Sequence, residues 1–147
     1  MGRLAVSPSE IETYQACKRK WAWRYLHGLD TPPNESAARG SRIHAILENY
    51  LKDGTLPNTW EDEGAIAAEG LPFLPVAGSV RVEEAFSFQS PRAWYTGVKD
   101  FRLPNHEHPT VGDHKTTKSF RWAKTQEEII TGPQGAIYAA HELMLFP

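Results

Sequence analysis

The chain has 147 residues, 40% hydrophobic and 11% aromatic, which suits one globular domain with a real core rather than a disordered chain. A single cysteine, Cys17, excludes an internal disulfide, and no run approaches the roughly 18 apolar residues of a membrane span. Net charge is −2, so no global field announces a polyanionic partner; Met1 to Val6 lacks a signal-peptide core, and the cytoplasm is the expected location.

Ser7-Pro8-Ser9-Glu10 reads as a helix start, with Ser7 as N-cap, proline in the first turn and Glu10 closing a capping box. Ile11, Tyr14, Lys18, Trp21 and Tyr25 follow at helical spacing, with a break near Cys17 where Lys18 interrupts the apolar stripe, and Gly28 caps the end. Residues 30 to 38 read as a loop. A second helix is expected from about Ser41 to Lys52, with Ile43, Ile46, Leu47, Tyr50 and Leu51 as its apolar stripe and His44 at the stripe's edge. A weaker Ala- and Glu-rich helix covers 60 to 73, stopped by Pro72 and Pro75. Val80, Val82, Glu84, Phe86 and Phe88 then alternate as a strand, and the inward Glu84 needs a partner or a metal. Two further strands are expected near 93–103 and 110–117. Thr125 to Glu128 is a capping box opening a short helix that Gly132-Pro133 breaks. A last helix from Pro133 to about Leu145 sets Gln134, Tyr138 and His141 on one face. Helices, three strands, then helices fit an α/β or α+β domain on a small mixed sheet.

The stretch between the last two strands carries the chemistry. Pro104 to Pro109 reads as a turn, and a hairpin closed symmetrically about His106 and Glu107 sets Asp100 directly opposite Asp113. Their Cβ atoms would then lie about 5 Å apart on one face. Like charges in that position destabilise a sheet unless a cation lies between them. Lys115 shares the face by the period of two, and acid, acid and lysine suit a hard divalent metal. A solvated sheet edge is the competing reading of this hairpin, and a bulge would move Asp100 off the shared face.

Three basic clusters interrupt the near-neutral balance: Lys18, Arg19, Lys20 and Arg24; Arg39 with Arg42; and Lys115, Lys118, Arg121 and Lys124 among Phe120 and Trp122. Cations with aromatics between them can follow phosphates while stacking bases. A solvated face is the plainer account of any one cluster.

In this order the pieces resemble the RecB-like branch of the PD-(D/E)XK nuclease superfamily. That branch includes nuclease domains of bacterial recombination helicase–nucleases, CRISPR-associated adaptation nucleases and phage exonucleases. Ser7 to Trp21 is similar to the opening helix and its basic-aromatic continuation. Arg39-Gly40-Ser41-Arg42-Ile43-His44 is similar to the R-G-x-x-x-H helix. Gly97-Val98-Lys99-Asp100 resembles the G-x-x-D motif, Asp113-His114-Lys115-Thr116 the D-x-K-T motif, and Gln134 to Tyr138 the Q-x-x-x-Y signature. The resemblance implies a restriction-endonuclease-like core, one nuclease domain over 1–147, and a DNA substrate.

It also implies roles. Asp100 and Asp113 hold one or two Mg²⁺ or Mn²⁺ ions, His44 completes the shell, and the backbone carbonyl of His114 is a further ligand while its side chain turns to the opposite face. Lys115 orients the attacking water or offsets charge on the phosphorane. Glu84 contacts metal or water, with Glu83 a rival for that position. Gln134 and Tyr138 contact the substrate or order the site, and Arg39, Arg42, Lys118 and Arg121 meet phosphates. Cys17 stands where many relatives have the first ligand of an iron–sulfur cluster, but the other three cysteines are absent and Lys18 replaces the usual proline, so no cluster is expected. The end at Pro147 precedes the family's C-terminal elements, which fits either a compact member, a phage protein among the options, or a fragment.

The expected activity is that of a metal-dependent deoxyribonuclease, an exonuclease or end-processing enzyme of recombination, repair or phage DNA metabolism, with a helicase as one conceivable partner. A non-catalytic DNA-binding or assembly subunit that kept the fold is the alternative. A zinc site of His106, His108 and His114 is a weaker third reading, because two of the three lie in the turn.

Overall fold

The computed structural model describes residues 4–29, 32, 34–91, 93–104, 109–117, 119, 121 and 123–146. His106, His108, Lys118, Phe120 and Trp122 lie outside them. Four strands form one mixed sheet in the order β1-β3-β2, with β4 also paired to β3: β1 is Leu4–Val6, β2 Arg81–Gln89, β3 Ala93–Leu103 and β4 Thr110–Gly112. β1 runs parallel to β3, Val6 beside Tyr95, and β4 runs antiparallel to it. The helices are α1 (Pro8–Ala16), α2 (Lys18–Trp21), α3 (Glu35–Asp53), α4 (Asp62–Gly70), α5 (Gln126–Thr131) and α6 (Pro133–Leu145). Among the described residues no helix is long and apolar enough to cross a membrane.

The chain divides into two compact units, and β2 and β3 contribute residues to both. The first comprises Met1–Pro32, Ala85–Val98 and Ser119–Pro147. Its buried residues include Val6, Phe86, Ile137 and Tyr138. Phe86 meets Tyr138 edge-on at 5.6 Å between ring centres, and Phe88 stacks on Tyr95 at 5.1 Å. A Cβ on Gly97 would fall 2.8 Å from the Phe86 ring, so glycine there lets the ring lie on the strand. Ser7 caps α1 by accepting the Glu10 N–H, and α1 ends at Cys17, whose Sγ in turn accepts the Lys20 N–H and caps α2. The expected break therefore occurs, and the helix after it widens into a π-turn over Ala22–Leu26. The Thr125 capping box forms, and α5 gives way to α6 at Gly132.

The second unit comprises Pro33–Glu84 and Lys99–Lys118. Ile43, Leu47 and Ala67 form its core, with Ile46, Leu71 and Leu74 packed around them. α3 starts at Glu35, six residues before the expected Ser41, because Asn34 caps it by accepting the Ala37 N–H at 2.9 Å. Its first turns, Glu35 to Gly40, carry no apolar stripe, so hydrophobic spacing did not register them.

β3 pairs with β4 through Phe101–Gly112, Arg102–Val111 and Leu103–Thr110, the register expected of the symmetric hairpin. β4 is shorter than expected and ends at Gly112. The Phe101 ring lies across Gly112: a Cβ there would fall 1.9 Å from Phe101 Cζ. Gly112→Ala is expected to destabilise the protein by about 1–3 kcal/mol through overpacking, read as a lower urea midpoint. In a double-mutant cycle with Phe101→Leu, much of that loss should return, since removing the ring removes the clash.

Candidate functional site

The site builds from α3 and the end of the β3–β4 ladder, all within the second unit. Gly40 and His44 are four residues apart on α3 and so share a face. A Cβ on Gly40 would fall 2.9 Å from Thr116 Oγ1, so glycine lets the segment after β4 approach the helix. One turn further on, His44 Nδ1 lies 3.6 Å from Asp100 Oδ2. Ser36, Ala37, Gly40, Ser41, His44 and Thr116 line an open cleft of about 400 Å³.

Asp100 is the β3 residue just before Phe101, and Asp113 follows Gly112, so continuing the register one step brings the two aspartates opposite one another. Asp100 Oδ2 accepts the His114 backbone N–H at 2.5 Å. Lys115 Nζ forms an ion pair with Asp113 Oδ2 while its side chain stays largely exposed. The His114 ring is edge-on to His44 at 5.6 Å and against Phe101 at 5.4 Å. Strand alternation, which would have sent that ring to the opposite face, stops with β4 at Gly112. Burial chiefly holds the His114 imidazole below its ordinary pKa; His44 and Lys115 add to this, and Asp100 and Asp113 oppose it. The buried His114 Nε2 has no hydrogen-bond partner among the described residues.

The two glutamates of β2 have different surroundings. Glu84 lies on the inward register and pairs with Arg81 Nη1 at 3.3 Å and Arg102 Nε at 3.8 Å, while its buried Oε2 has no hydrogen-bond partner among the described residues. Arg102 is only 3% exposed, so this pairing sits in the interior. Glu83, the rival, has a φ of 50°, a left-handed conformation that a non-glycine residue adopts at a cost. Its carboxyl is held above the ordinary range, first by desolvation and then by the negative charges of Glu48 and Asp100, against the pull of Lys52 and His44. Glu83 therefore shares its electrostatic surroundings with Asp100 and His44. The signal that could have found it was unavailable in period-two alternation, which places residue 83 outward.

The remaining expected residues scatter. Arg42 is engaged by Glu35 at 2.8 Å and Glu63 at 2.9 Å, and these bonds hold its guanidinium above its ordinary pKa. Arg39, one turn earlier on α3, is half-buried, and Arg121 is exposed in the first unit. Lys118 lies outside the described residues. Also in the first unit, Gln134 Nε2 donates to the Tyr138 hydroxyl at 3.0 Å, and that hydroxyl donates to the Val98 carbonyl at 3.0 Å. The Gln–Tyr pair thus clamps α6 onto β3, two residues before Asp100 in the chain.

The family model for the PD-(D/E)XK nuclease superfamily matches residues 5–106, well over half of the chain. The chain belongs to that superfamily. The matched range holds His44, both glutamates and Asp100 and stops before Asp113 and Lys115. The mixed sheet and its helices agree with the superfamily's α/β fold. No curated protein and no solved structure matches the chain.

Superfamily nucleases typically use divalent metals, and the donors here suit one: carboxylates at Asp100, Asp113 and Glu83 and one imidazole at His44, an oxygen-rich set for a hard cation. Among the described residues, no three such side chains stand together as a ready cage. The carboxylates instead take protein partners, a backbone N–H and His44 for Asp100, Lys115 for Asp113.

Because the folded pKa of Glu83 is raised, the metal-free protein should lose stability as pH climbs from the ordinary glutamate range through that raised value. Glu83→Gln removes the repelled charge. In EDTA, the variant should melt above wild type at neutral pH and show a flatter pH dependence between about pH 4 and 7 by calorimetry.

Proposed function

We propose that this chain is a divalent-metal-dependent DNA nuclease that processes ends. The observation that carries the reading is the end of the β3–β4 ladder, where Asp100 and Asp113 adjoin the last pair, Phe101 and Gly112, with His44 of α3 at 3.6 Å from Asp100. Two acids in that relation cost stability, and the cost is understandable where a cation is to be held. Asp100 and Asp113 would hold Mg²⁺ or Mn²⁺, with His44 and the His114 carbonyl as further ligands. When bound, the ion polarises the scissile phosphate and makes hydroxide available from water near neutral pH.

Other residues work through position and charge. Lys115, largely exposed beside Asp113, would leave its carboxylate partner when metal displaces it and then orient water or offset charge on the phosphate. Either β2 glutamate could contact metal or water: Glu84 is inward and leaves its buried Oε2 without a hydrogen bond among the described residues, and Glu83 is an exposed residue with its carboxyl held above the ordinary range. Arg39 and Arg121 would meet phosphates, and Arg42 would do so only by leaving Glu35 and Glu63. Tyr138 and Gln134 order β3 rather than touch substrate. The sequence holds no helix-turn-helix or zinc finger to read bases, which favours action at ends over cutting at a defined sequence.

Titration calorimetry with Mn²⁺ and Mg²⁺, beside gel cleavage of end-labelled single- and double-stranded DNA, tests this. Asp100→Ala and Asp113→Ala should lose both metal uptake and cleavage. Lys115→Ala should take up metal at least as tightly as wild type, since Asp113 loses a competing cation, yet cleave about 100-fold or more slowly. Of Glu84→Gln and Glu83→Gln, the variant that cuts far more slowly marks the glutamate that contacts metal or water. Cleavage at the wild-type rate by Lys115→Ala would remove the lysine from its role. A wild type that binds DNA but neither takes up metal nor cuts would instead be a non-catalytic DNA-binding subunit.

A further inference from the structure

We infer that the segment Tyr14 to Tyr25 of the first unit is a stacking platform for single-stranded DNA, separate from the carboxylate site. From Cys17 to Leu29 the chain carries Lys18, Arg19, Lys20 and Arg24 and no carboxylate residue. The local fold sets three of these cations beside aromatic rings. Lys18 Nζ sits 5.6 Å from the Tyr14 ring centre, the Arg19 guanidinium 4.8 Å from that of Trp23, and the Arg24 guanidinium 5.5 Å from that of Tyr25.

Trp21 gives the group a fixed base. Its Nε1 donates to Glu10 Oε1 at 3.0 Å, Tyr14 meets it edge-on at 5.3 Å, and Tyr25 lies nearly parallel at 6.5 Å. Trp23, by contrast, is 48% exposed and Tyr14 43% exposed, and both are large apolar faces left to solvent. The π-turn over Ala22–Leu26 holds this display, its end fixed by the His27 N–H to the Ala22 carbonyl at 3.1 Å. Such wide turns recur where a helix serves function.

Charge separates this surface from the others in the protein. Arg42, Lys52, Lys115 and Lys124 each meet a carboxylate. Lys18, Arg19 and Lys20 meet none among the described residues. Cations attract phosphates, and the rings between them attract the flat faces of bases. A duplex hides its base faces, so the fitting partner is an unpaired strand. The inference deepens the nuclease reading by naming the form of DNA held, yet binding is measured without metal and so is judged apart from cleavage.

The test is fluorescence anisotropy of a labelled oligothymidylate of about twenty nucleotides with the full chain in EDTA, beside a duplex of equal length. Trp23→Ala should weaken single-strand binding roughly 5- to 100-fold, the range for one lost base stack, while Trp23→Phe keeps most of the affinity. Duplex binding should change much less. Lys18→Ala and Lys20→Ala should each lower the salt dependence of single-strand binding by about 0.7 in the log–log slope. Circular dichroism checks folding, and Arg19→Gln supplies the same reading if Trp23→Ala does not fold. The proposal is overturned if wild type does not bind the oligothymidylate. Unchanged binding in Trp23→Ala or Arg19→Gln, or an equal loss on duplex, overturns it too. Trp23-dependent binding with no cleavage in Mg²⁺ or Mn²⁺ would leave the platform standing and remove the nuclease reading instead.

Discussion

Pairing of Phe101 with Gly112 governs where the acidic side chains of this protein emerge. An antiparallel ladder is either in register or shifted, and a shift of one residue exchanges the faces of every side chain on the strand. The Phe101 ring over Gly112 resists such a shift, because only glycine leaves room for the ring. The ladder ends there, and Asp100 and Asp113 follow as the next pair.

The charges of the second unit show how the fold tolerates this. Asp100 is offset by a backbone N–H and an imidazole, Asp113 by an ammonium, Glu84 by two guanidinium groups. Glu83 differs, held in a left-handed conformation near Asp100 and Glu48. Strained backbone and repelled charge coincide at one residue, the combination expected where function opposes stability. The partners of Asp100 and Asp113 differ in kind as well.

Conformational support for β3 comes from hydrogen bonding as much as from apolar packing. Tyr138 buries its ring against Phe86 and gives its hydroxyl proton to the Val98 carbonyl, and Gln134 completes the hydroxyl's bonding. A buried hydroxyl with both donor and acceptor roles filled costs nothing to desolvate and fixes one helix position on one strand. The spacing of four between Gln134 and Tyr138 is then a statement about helix geometry, one turn apart on the face that meets β3.

Much of this was legible in the sequence because it is encoded locally. Alternation marked β2 and β3, capping residues marked α1 and α5, and the turn-forming residues around His106 set the β3–β4 register without reference to the rest of the chain. The order of motifs pointed to the superfamily on the same basis. Other features required the tertiary structure. β1 has three residues and owes its strand state to β3, so no local period announced it. α3 begins before its apolar stripe because Asn34 caps it, a signal that periodicity does not weigh. β4 stops at Gly112, and beyond it no ladder dictates where His114 and Lys115 point. Which of two adjacent glutamates keeps company with Asp100 was beyond the sequence for the same reason. Glu84 meets Arg102 across space, and Glu83 takes a left-handed φ of 50° within β2. Local patterns specify elements and registers, whereas charge partners are chosen by side chains far apart in sequence, and only the folded chain brings those together.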